Sequence, residues 1–288
     1  MALSMEEQIA DARPETGIRS RQVRRFFRRP GNIVGLALIV VIAVVGVGAH
    51  WIAPYGANAT NFSDALAHPS MAHLLGTDSL GRDVLSRIIY GTDFSILASL
   101  GAVLMALIAG SVIGLVAGYA KGTVLDEVLM RIIDAVLVLP PLVLAMALAF
   151  IFGQGLLNAI IAIAVVFSPQ FARVVRSKVL TVRELPFIEA ARGAGAGHAR
   201  IMLRHILPSV IQPALVLATL SIGNAIILEA SLAYLGLGLQ PPNPSWGFMV
   251  SSDVNYLSQA PWLIFAPSVA IALSVFAVTV VGQGLQEL

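Results

Sequence analysis

The sequence predicts an all-α integral membrane protein with six membrane-spanning helices. Three observations predict this fold class. First, 57% of the 288 residues are hydrophobic, only 12% are charged, and the mean hydropathy is +0.85, which leaves too little polar surface to cover a soluble protein of this size. Second, six apolar runs have about the 20 residues that a helix needs to cross a bilayer. Third, the cations are distributed unevenly between the segments that join these runs.

The six apolar runs carry charged residues only at their ends. The predicted spans are 33–53, 94–118, 135–152, 156–175, 209–229 and 262–282. Prolines interrupt the last four of them and are expected to kink the helices, at Pro140-Pro141, Pro169, Pro213 and Pro267. A stand-alone secondary transporter, the main rival class, is disfavoured because such carriers place ionisable groups near the bilayer midplane, where these runs have none.

The cations predict the orientation, since cytoplasmic loops close to spans hold an excess of Lys and Arg. With six crossings and a cytoplasmic N-terminus, the N-terminal tail, the loops after spans two and four, and the C-terminus are cytoplasmic. These segments hold every Lys and Arg except Arg82 and Arg87. Residues 1–32 are predicted to be a basic interfacial segment attracted to anionic lipid, ahead of a transmembrane domain at 33–288. Nucleic-acid binding is disfavoured because this segment adjoins a span.

Span two carries a small residue at every fourth position, which allows helix backbones to approach closely in lipid. The stripe consists of Ala98, Ala102, Ala106, Gly110, Gly114 and Gly118. We therefore predict that this stripe is a helix-packing face.

The loop between spans four and five, at about 176–208, is long enough to have its own structure. Within it, Pro186 suits a first helical turn and Glu189 suits the positive end of the helix dipole. Ile188, Ala191 and Gly195 recur at helical spacing. The pattern predicts a short helix with a narrow small-residue face that inserts into a cleft on another protein. The alternative is an ordinary amphipathic surface helix.

Two segments on the opposite side of the membrane have structure of their own. In one, Thr77, Asp78 and Ser79 are possible N-caps of a short amphipathic helix that is separate from span two. The other is rich in Pro and Gly and contains Trp246, an aromatic residue suited to the membrane interface. These segments either receive another protein or cap the bundle.

The chain lacks the motifs that would let it perform chemistry. It has no phosphate-binding loop of the G-x-x-x-x-G-K-[ST] type and no cysteine, and its five histidines show no metal-ligand spacing. We therefore expect no enzymatic activity, no metal and no bound cofactor, and we expect energy for any transport to come from another polypeptide.

Three separated motifs identify the family that the chain resembles. Glu189-Ala190-Ala191, then Gly195 and Leu207-Pro208, resemble the EAA loop of ABC importer membrane subunits, whose coupling helix docks in a groove of the ATP-hydrolysing subunit. LLGTDSLGRDVLSRIIYGTDFS at 74–95 and ASLAYLGLGLQPPNPSWGFMV at 230–250 resemble the C-type permeases of dipeptide, oligopeptide and nickel importers. The resemblance implies a six-span, type I, MetI-like transmembrane domain.

The resemblance also implies site residues. The residues expected to couple to the ATPase subunit are Phe187, Ile188, Glu189, Ala190, Ala191, Gly195, Leu207 and Pro208. The residues expected to dock a protein on the outer face are Asp78, Arg82, Asp83 and Trp246. The translocation pathway is predicted to be lined by the uncharged polar residues of spans four and five, with interhelical hydrogen bonding as the alternative; these are Ser168, Gln170, Gln212, Ser221 and Asn224. Gly193 and Ala194 replace the bulkier residue usual in the family, so docking is expected to rely more on Phe187 and Ile188.

The implied partners are a second homologous permease subunit that completes a heterodimer, two ATP-binding cassette subunits that use ATP and Mg, and an extracytoplasmic substrate-binding protein. The implied location is the bacterial inner membrane, with both termini cytoplasmic. Short peptides are the expected cargo, with nickel chelates, glutathione, opines or oligosaccharides as alternatives.

Overall fold

A computed structural model describes residues 26–286, and these residues form helices joined by loops. The helices are α1 (Pro30–Val47), α2 (Ala49–Ile52), α3 (Val84–Tyr119), α4 (Val124–Val138), α5 (Pro141–Phe152), α6 (Leu156–Val182), α7 (Pro186–Gly193), α8 (His198–Arg200), α9 (Leu207–Tyr234), α10 (Trp246–Asp253) and α11 (Trp262–Gln286). A π-helical segment, Ile201–Ile206, joins α8 to α9. Most of the predicted interfacial segment at 1–32 lies outside the described residues.

Within the described residues 26–286, five helices are long and apolar enough to cross a bilayer: α1, α3, α6, α11, and the continuous helix His198–Tyr234 that ends in α9. The pair α4 and α5 forms a sixth candidate, bent by 103°. The predicted all-α membrane fold is therefore confirmed. Helices α3, α6, α9 and α11 extend beyond the predicted spans at one or both ends. Helix α1 instead ends at Val47, six residues before the predicted end of the first span, and α2 follows it as a separate short helix.

The third predicted span, 135–152, is not one straight helix. It includes the end of α4 and all of α5, and Leu139 and Pro140 between them have extended backbone with ψ of 136° and 130°. The physical cause is the pair Pro140-Pro141, because a residue that precedes a proline is disfavoured in the helical region. The proline interruption was predicted, but the sharp bend was not.

The second predicted span and the predicted short helix before it are a single helix, α3, of 36 residues. Asp83, rather than Thr77, Asp78 or Ser79, is its N-cap and accepts a hydrogen bond from the backbone N–H of Ser86 at 2.8 Å. At 1.5 Å per residue the helix is about 54 Å long, well beyond a hydrocarbon core of about 30 Å. It therefore connects the two ends of the bundle.

The small-residue stripe of α3 is a close packing face, as predicted. A Cβ added at Gly118 would lie 2.7 Å from the Cβ of Val179, and one added at Gly114 would lie 2.9 Å from the Cβ of Val175. The alanines of the stripe are buried as well. The stripe lets α3 and α6 pack together as the centre of the bundle, against which α9 also packs.

Helix α1 lies at the edge of this bundle. It packs mainly against α11 and less against α3, and among its residues only Asn32 and Gly35 are buried. Helix α10 lies at the end of the bundle where α3 begins. It contacts α11, α9 and α3.

Candidate functional site: the α7 surface, the cap and the polar residues of the spans

Helix α7 forms where the sequence predicts a helix. Pro186 occupies the first turn, where its missing N–H leaves no hydrogen bond unmade. Glu189 lies in the first turn and Arg192 in the last, so that each charge complements the dipole at its end of the helix.

Gly195 ends α7 and does not belong to its face, which corrects the predicted small-residue stripe. The helix ends at Gly193, and Gly195 has a φ of +81°. The N–H of Gly195 donates to the carbonyl of Arg192 at 2.9 Å, and the N–H of Ala196 donates to that of Ala191 at 3.0 Å. This is the Schellman arrangement, in which glycine is favoured because it adopts a positive φ without strain.

Helix α7 is anchored to the bundle on one side. Ile188 is fully buried in the chain's own hydrophobic core, so the structure places it facing the bundle rather than a partner. Just before α7, Arg183 donates hydrogen bonds of 3.2 Å to the carbonyls of Gly118 and Tyr119 at the end of α3. After α7, the Tyr119 hydroxyl and the His198 ring Nδ1 lie 2.6 Å apart in a hydrogen bond.

The other side of α7 faces away from the bundle. Phe187 is 46% exposed, and Glu189 and Ala190 are exposed, while Ala191 is half-buried. Leu207 and Pro208 of the predicted coupling set lie apart from α7, in the first turn of α9. The arrangement thus offers one aromatic ring and one carboxylate on a short helix whose base is fixed to α3 and α9.

Ion pairs brace the bundle next to α7. Arg176 of α6 donates to both carboxylate oxygens of Asp126 in α4, each at 2.8 Å. Arg173 pairs with Asp134 at 2.6 Å, but both of these side chains are about half exposed. The bidentate pair fixes the distance between α4 and α6 with a defined geometry.

Residues 53–83 and 236–261 cover the end of the bundle opposite to α7, and we call them the cap. Asp78 organises its centre: one carboxylate oxygen accepts from the backbone N–H groups of Leu80 and Arg82 at 2.9 Å, and the other accepts from Arg82 Nε at 2.6 Å. Arg87 Nε lies 3.8 Å from the same oxygen and its Nη1 donates to the carbonyl of Ala57 at 2.9 Å.

The remaining cap residues of the predicted docking set are also engaged internally. Asp83 caps α3 and lies 2.9 Å from His73 Nδ1. Trp246 is 2% exposed and donates from Nε1 to the carbonyl of Ile88 at 3.1 Å. Asp78, Asp83 and Trp246 are all buried and Arg82 is half-buried. We therefore correct the expectation that these side chains face a partner directly: they fix the shape of the cap.

Asp253, at the end of α10, is a further acidic residue of the cap that the sequence did not single out. Burial, together with the nearby charge of Asp78, raises the pKa of its carboxyl to about 6, against the opposing effects of a hydrogen bond from Ser252 and the charges of Arg82 and Arg87. The cap thus holds three acidic side chains, Asp78, Asp83 and Asp253, and two guanidinium groups in a space largely closed to water.

The predicted pathway residues do not form one cluster. The hydroxyls of Ser168 and Ser221 donate to carbonyls of their own helices, those of Val165 and Leu217. Gln170 is half-buried, and Gln212 and Asn224 of α9 are exposed.

Asn224 lies one turn before Ile227, which lines two adjoining grooves of about 430 and 470 Å³ on α9 and α11. Residues three apart share a helix face. Asn224 therefore lies on the same face of α9 as a residue that lines both grooves.

Sequence reasoning missed Glu229. The predicted fifth span ends at Glu229, but α9 continues to Tyr234. The carboxyl therefore lies within the helix, and the residue is only 2% exposed. Ser95 of α3 lies beside the Glu229 carboxyl and accepts from the backbone N–H of Trp246 at 3.3 Å. This acid therefore lies where α3, α9 and α10 meet. A run of apolar residues continuing on both sides of Glu229 was the signal available in the sequence.

Within residues 26–286, no group of three or more His, Asp or Glu side chains is arranged to hold a metal ion.

Comparisons with known proteins agree with this architecture. Residues 110–288 match the family model described as "Binding-protein-dependent transport system inner membrane component", and residues 20–69 match the "N-terminal TM domain of oligopeptide transport permease C". The chain is 40% identical over 269 residues to the di/tripeptide transport system permease protein DppC of Pseudomonas aeruginosa (strain UCBPP-PA14), covering 91% of this chain and 88% of that protein.

The chain is also 40% identical over 265 residues to the glutathione transport system permease protein GsiD of Escherichia coli O6:K15:H31, covering 92% of this chain and 87% of that protein. Its fold is similar to an inward-facing structure of the MetNI methionine ABC transporter, with a TM-score of 0.54, 20% identity, and coverage of 69% of this chain and 93% of that one. The chain therefore belongs to the binding-protein-dependent transport system inner membrane component family, the multi-pass permeases of ABC importers.

Proposed function

We propose that this permease imports short peptides as part of an ATP-driven complex in the bacterial inner membrane. The relative named a di/tripeptide permease, aligned along 91% of this chain, is the observation that carries the substrate class. Glutathione is the second candidate, because the relative named a glutathione permease is equally similar. Glutathione is itself a small peptide, so both candidates need a pathway of similar size.

The proposed complex contains a second permease chain, two ATP-binding cassette subunits and an extracytoplasmic binding protein. ATP and Mg are used by the cassette subunits, and this chain binds no cofactor and catalyses no reaction. Both termini and α7 lie in the cytoplasm, and the cap faces the binding protein. The excess of Lys and Arg in the loops next to α7 supports this orientation.

In this proposal α7 transmits the closure of the cassette subunits to the membrane. Phe187 and Glu189 contact the partner, while Ile188 and Arg183 hold the helix on the bundle. A push on α7 therefore reaches α3 and α9 together. The exposed face of α9 around Asn224 lines the pathway that the two permease chains enclose.

The coupling role is tested by Glu189→Ala, with Glu127→Ala as the matched control. Glu127 is an exposed glutamate in the first turn of α4. In reconstituted vesicles, Glu189→Ala is expected to lower ATP-dependent peptide uptake at least tenfold while cassette subunits continue to hydrolyse ATP, a loss of at least about 1.4 kcal/mol of coupling. Normal uptake by Glu189→Ala would contradict the role of α7.

The substrate and the assembly are tested by purification. We expect cassette subunits and a second permease to co-elute with the full chain, and uptake of labelled dipeptides and tripeptides to require ATP. Glutathione uptake without dipeptide uptake would favour the second candidate. Elution of the chain alone with transport that is independent of ATP would instead support a secondary transporter.

A further inference from the structure

An apolar crevice separates α1 from the helices behind it. The crevice has two chambers of about 220 and 170 Å³. Ile42 of α1 and Ser274 of α11 line both chambers, so the two adjoin. The larger chamber is bounded by α1, α3, α9 and α11, and the smaller one extends along α1 to Trp246 in the cap.

The walls of this crevice offer no hydrogen bond to a ligand. They contain no charged residue, and their polar groups are satisfied within the protein. The hydroxyls of Ser274, Thr219 and Thr92 donate to carbonyls of their own helices at 2.8 to 2.9 Å, and the Trp246 indole donates to Ile88. A cavity with apolar walls and no free polar partner stays dry and accepts apolar molecules. An extended peptide is excluded because its backbone groups would be left unpaired.

The crevice has the length and direction of a lipid tail. Its lining runs from Ala270 to Gly282 on α11 and from Ile88 to Leu100 on α3, which is about 18 Å along each helix. This is close to one leaflet of a hydrocarbon core that is about 30 Å thick. Both helices span the membrane, so the crevice follows the bilayer normal.

A helix of a partner subunit does not fit this space. A helix about 10 Å wide and 18 Å long occupies roughly 1,400 Å³, which is more than the space free of protein atoms in the two chambers, about 710 and 510 Å³ with their open sides included. Helix α1 contacts the bundle above and below the crevice: at Gly35 an added Cβ would be 3.1 Å from the carbonyl oxygen of Ala277 in α11, and at Gly46 one would be 3.5 Å from the side chain of Thr92 in α3. The crevice lies between these two contacts.

We infer that the crevice binds a single phospholipid acyl chain between α1 and the bundle. The acyl chain fills the space between α1 and the bundle, so that lipid completes the contact between α1 and the core of the permease. The occupant comes from the membrane in which the protein lies, and it is independent of the transported substrate.

Fluorescence of Trp246 tests this inference, because its ring lines the crevice yet is only 2% exposed. The full chain, with the subunits that co-purify, is reconstituted in phosphatidylethanolamine and phosphatidylglycerol vesicles whose acyl chains are brominated, and in matched vesicles without bromine. Trp51→Phe and Trp262→Phe remove the other two tryptophans of the chain. We expect bromine to quench Trp246.

Two neighbouring valines provide matched variants. Val45 lines the chamber next to Trp246, whereas Val44 is 57% exposed and lines neither chamber. Val45→Phe is expected to fill the crevice and abolish the quenching, and Val44→Phe is expected to leave it unchanged. Equal quenching in the two variants would mean that bulk lipid, rather than a bound chain, reaches Trp246, and would overturn the inference. Absence of quenching in the parent chain would overturn it as well.

Discussion

The cap and α7 lie at opposite ends of the long helix α3, and they differ in the burial of their charged side chains. In the cap, the side chains of Asp78 and Arg87 are each 3% exposed and bond within the chain. On α7, Glu189 and Arg192 are exposed on a helix of eight residues. Buried, paired charges fix a shape, whereas exposed charges remain available to a partner. The cap is therefore built to keep its geometry, and α7 is built to be contacted.

The largest effect is expected at the packing face that connects these two regions. In Gly114→Leu the added side chain meets Val175 and the backbone of α6, and neither can move without separating α3 from α6. We expect almost no folded protein in membrane extracts, measured by detergent-soluble monodisperse yield. Gly101→Leu on the same helix is the control, because a Cβ there lies 3.6 Å from the flexible side chain of Ile160. Equal yields of the two would show that the close packing is not required.

The second largest effect is expected when a buried charge is removed from the cap. Asp78→Ala leaves Arg87 and Arg82 without their carboxylate, and breaking a buried pair in this way costs about 3–5 kcal/mol. Thermal unfolding in detergent should show a large loss of stability. Asp93→Ala removes an exposed aspartate near the same end of α3 and should change stability by no more than about 0.5 kcal/mol. A similar effect of both variants would mean that the cap does not depend on its ion pairs.

Two adjacent residues of α7 have different proposed roles: Ile188 anchors the helix to the bundle, and Phe187 contacts the partner. Ile188→Ala removes a fully buried side chain and is expected to cost about 2–5 kcal/mol. Phe187→Ala removes a ring that is 46% exposed, so it should lower peptide uptake with a much smaller loss of stability. Unfolding and uptake are measured on both variants. Normal uptake by Phe187→Ala together with normal stability of Ile188→Ala would remove the distinction between the two sides of α7.

The cap should also respond to pH, through Asp253. Its pKa is raised from 3.8 to about 6, so the folded state binds the proton more tightly than the unfolded state does. Proton binding by Asp253 therefore stabilises the folded state fully below about pH 4, and this stabilisation is lost as the pH rises through 6. It is no more than about 3 kcal/mol. Unfolding temperatures at pH 5 and 7.5 should differ more for the parent chain than for Asp253→Asn. An identical pH dependence of the two would contradict the assignment.

The smallest effect is expected at the end of α7. Gly195→Ala forces a Cβ into a backbone with a φ of +81°, which costs roughly 1–2 kcal/mol. Gly193→Ala lies inside the helix with open space around the new methyl group and should stabilise it by up to about 1 kcal/mol. The change in unfolding free energy therefore has opposite signs for the two glycines. The same sign for both would show that Gly195 does not need its left-handed conformation.

The parts of the structure that depend on local rules could be predicted from the sequence. Pro186 places the start of α7, and Gly110, Gly114 and Gly118 identify the face that packs on α6. Features that depend on distant residues could not be predicted. Asp78 and Asp83 look like exposed residues of an outer loop until residues from the other loops cover them, and Glu229 is buried beside Ser95 of another helix. The mistake at Gly195 came from extending helical spacing past a residue that ends the helix.

The π-helical segment Ile201–Ile206 has a consequence for how α7 and α9 are connected. Each of its turns closes with one residue more than an α-turn does. Rewinding a single turn to α-geometry would rotate everything downstream by about 100° and shift it by about 1.5 Å along the axis. The join between the two helices thus contains one residue more than a continuous α-helix of the same length would, and the number of residues in this turn sets which face α9 presents.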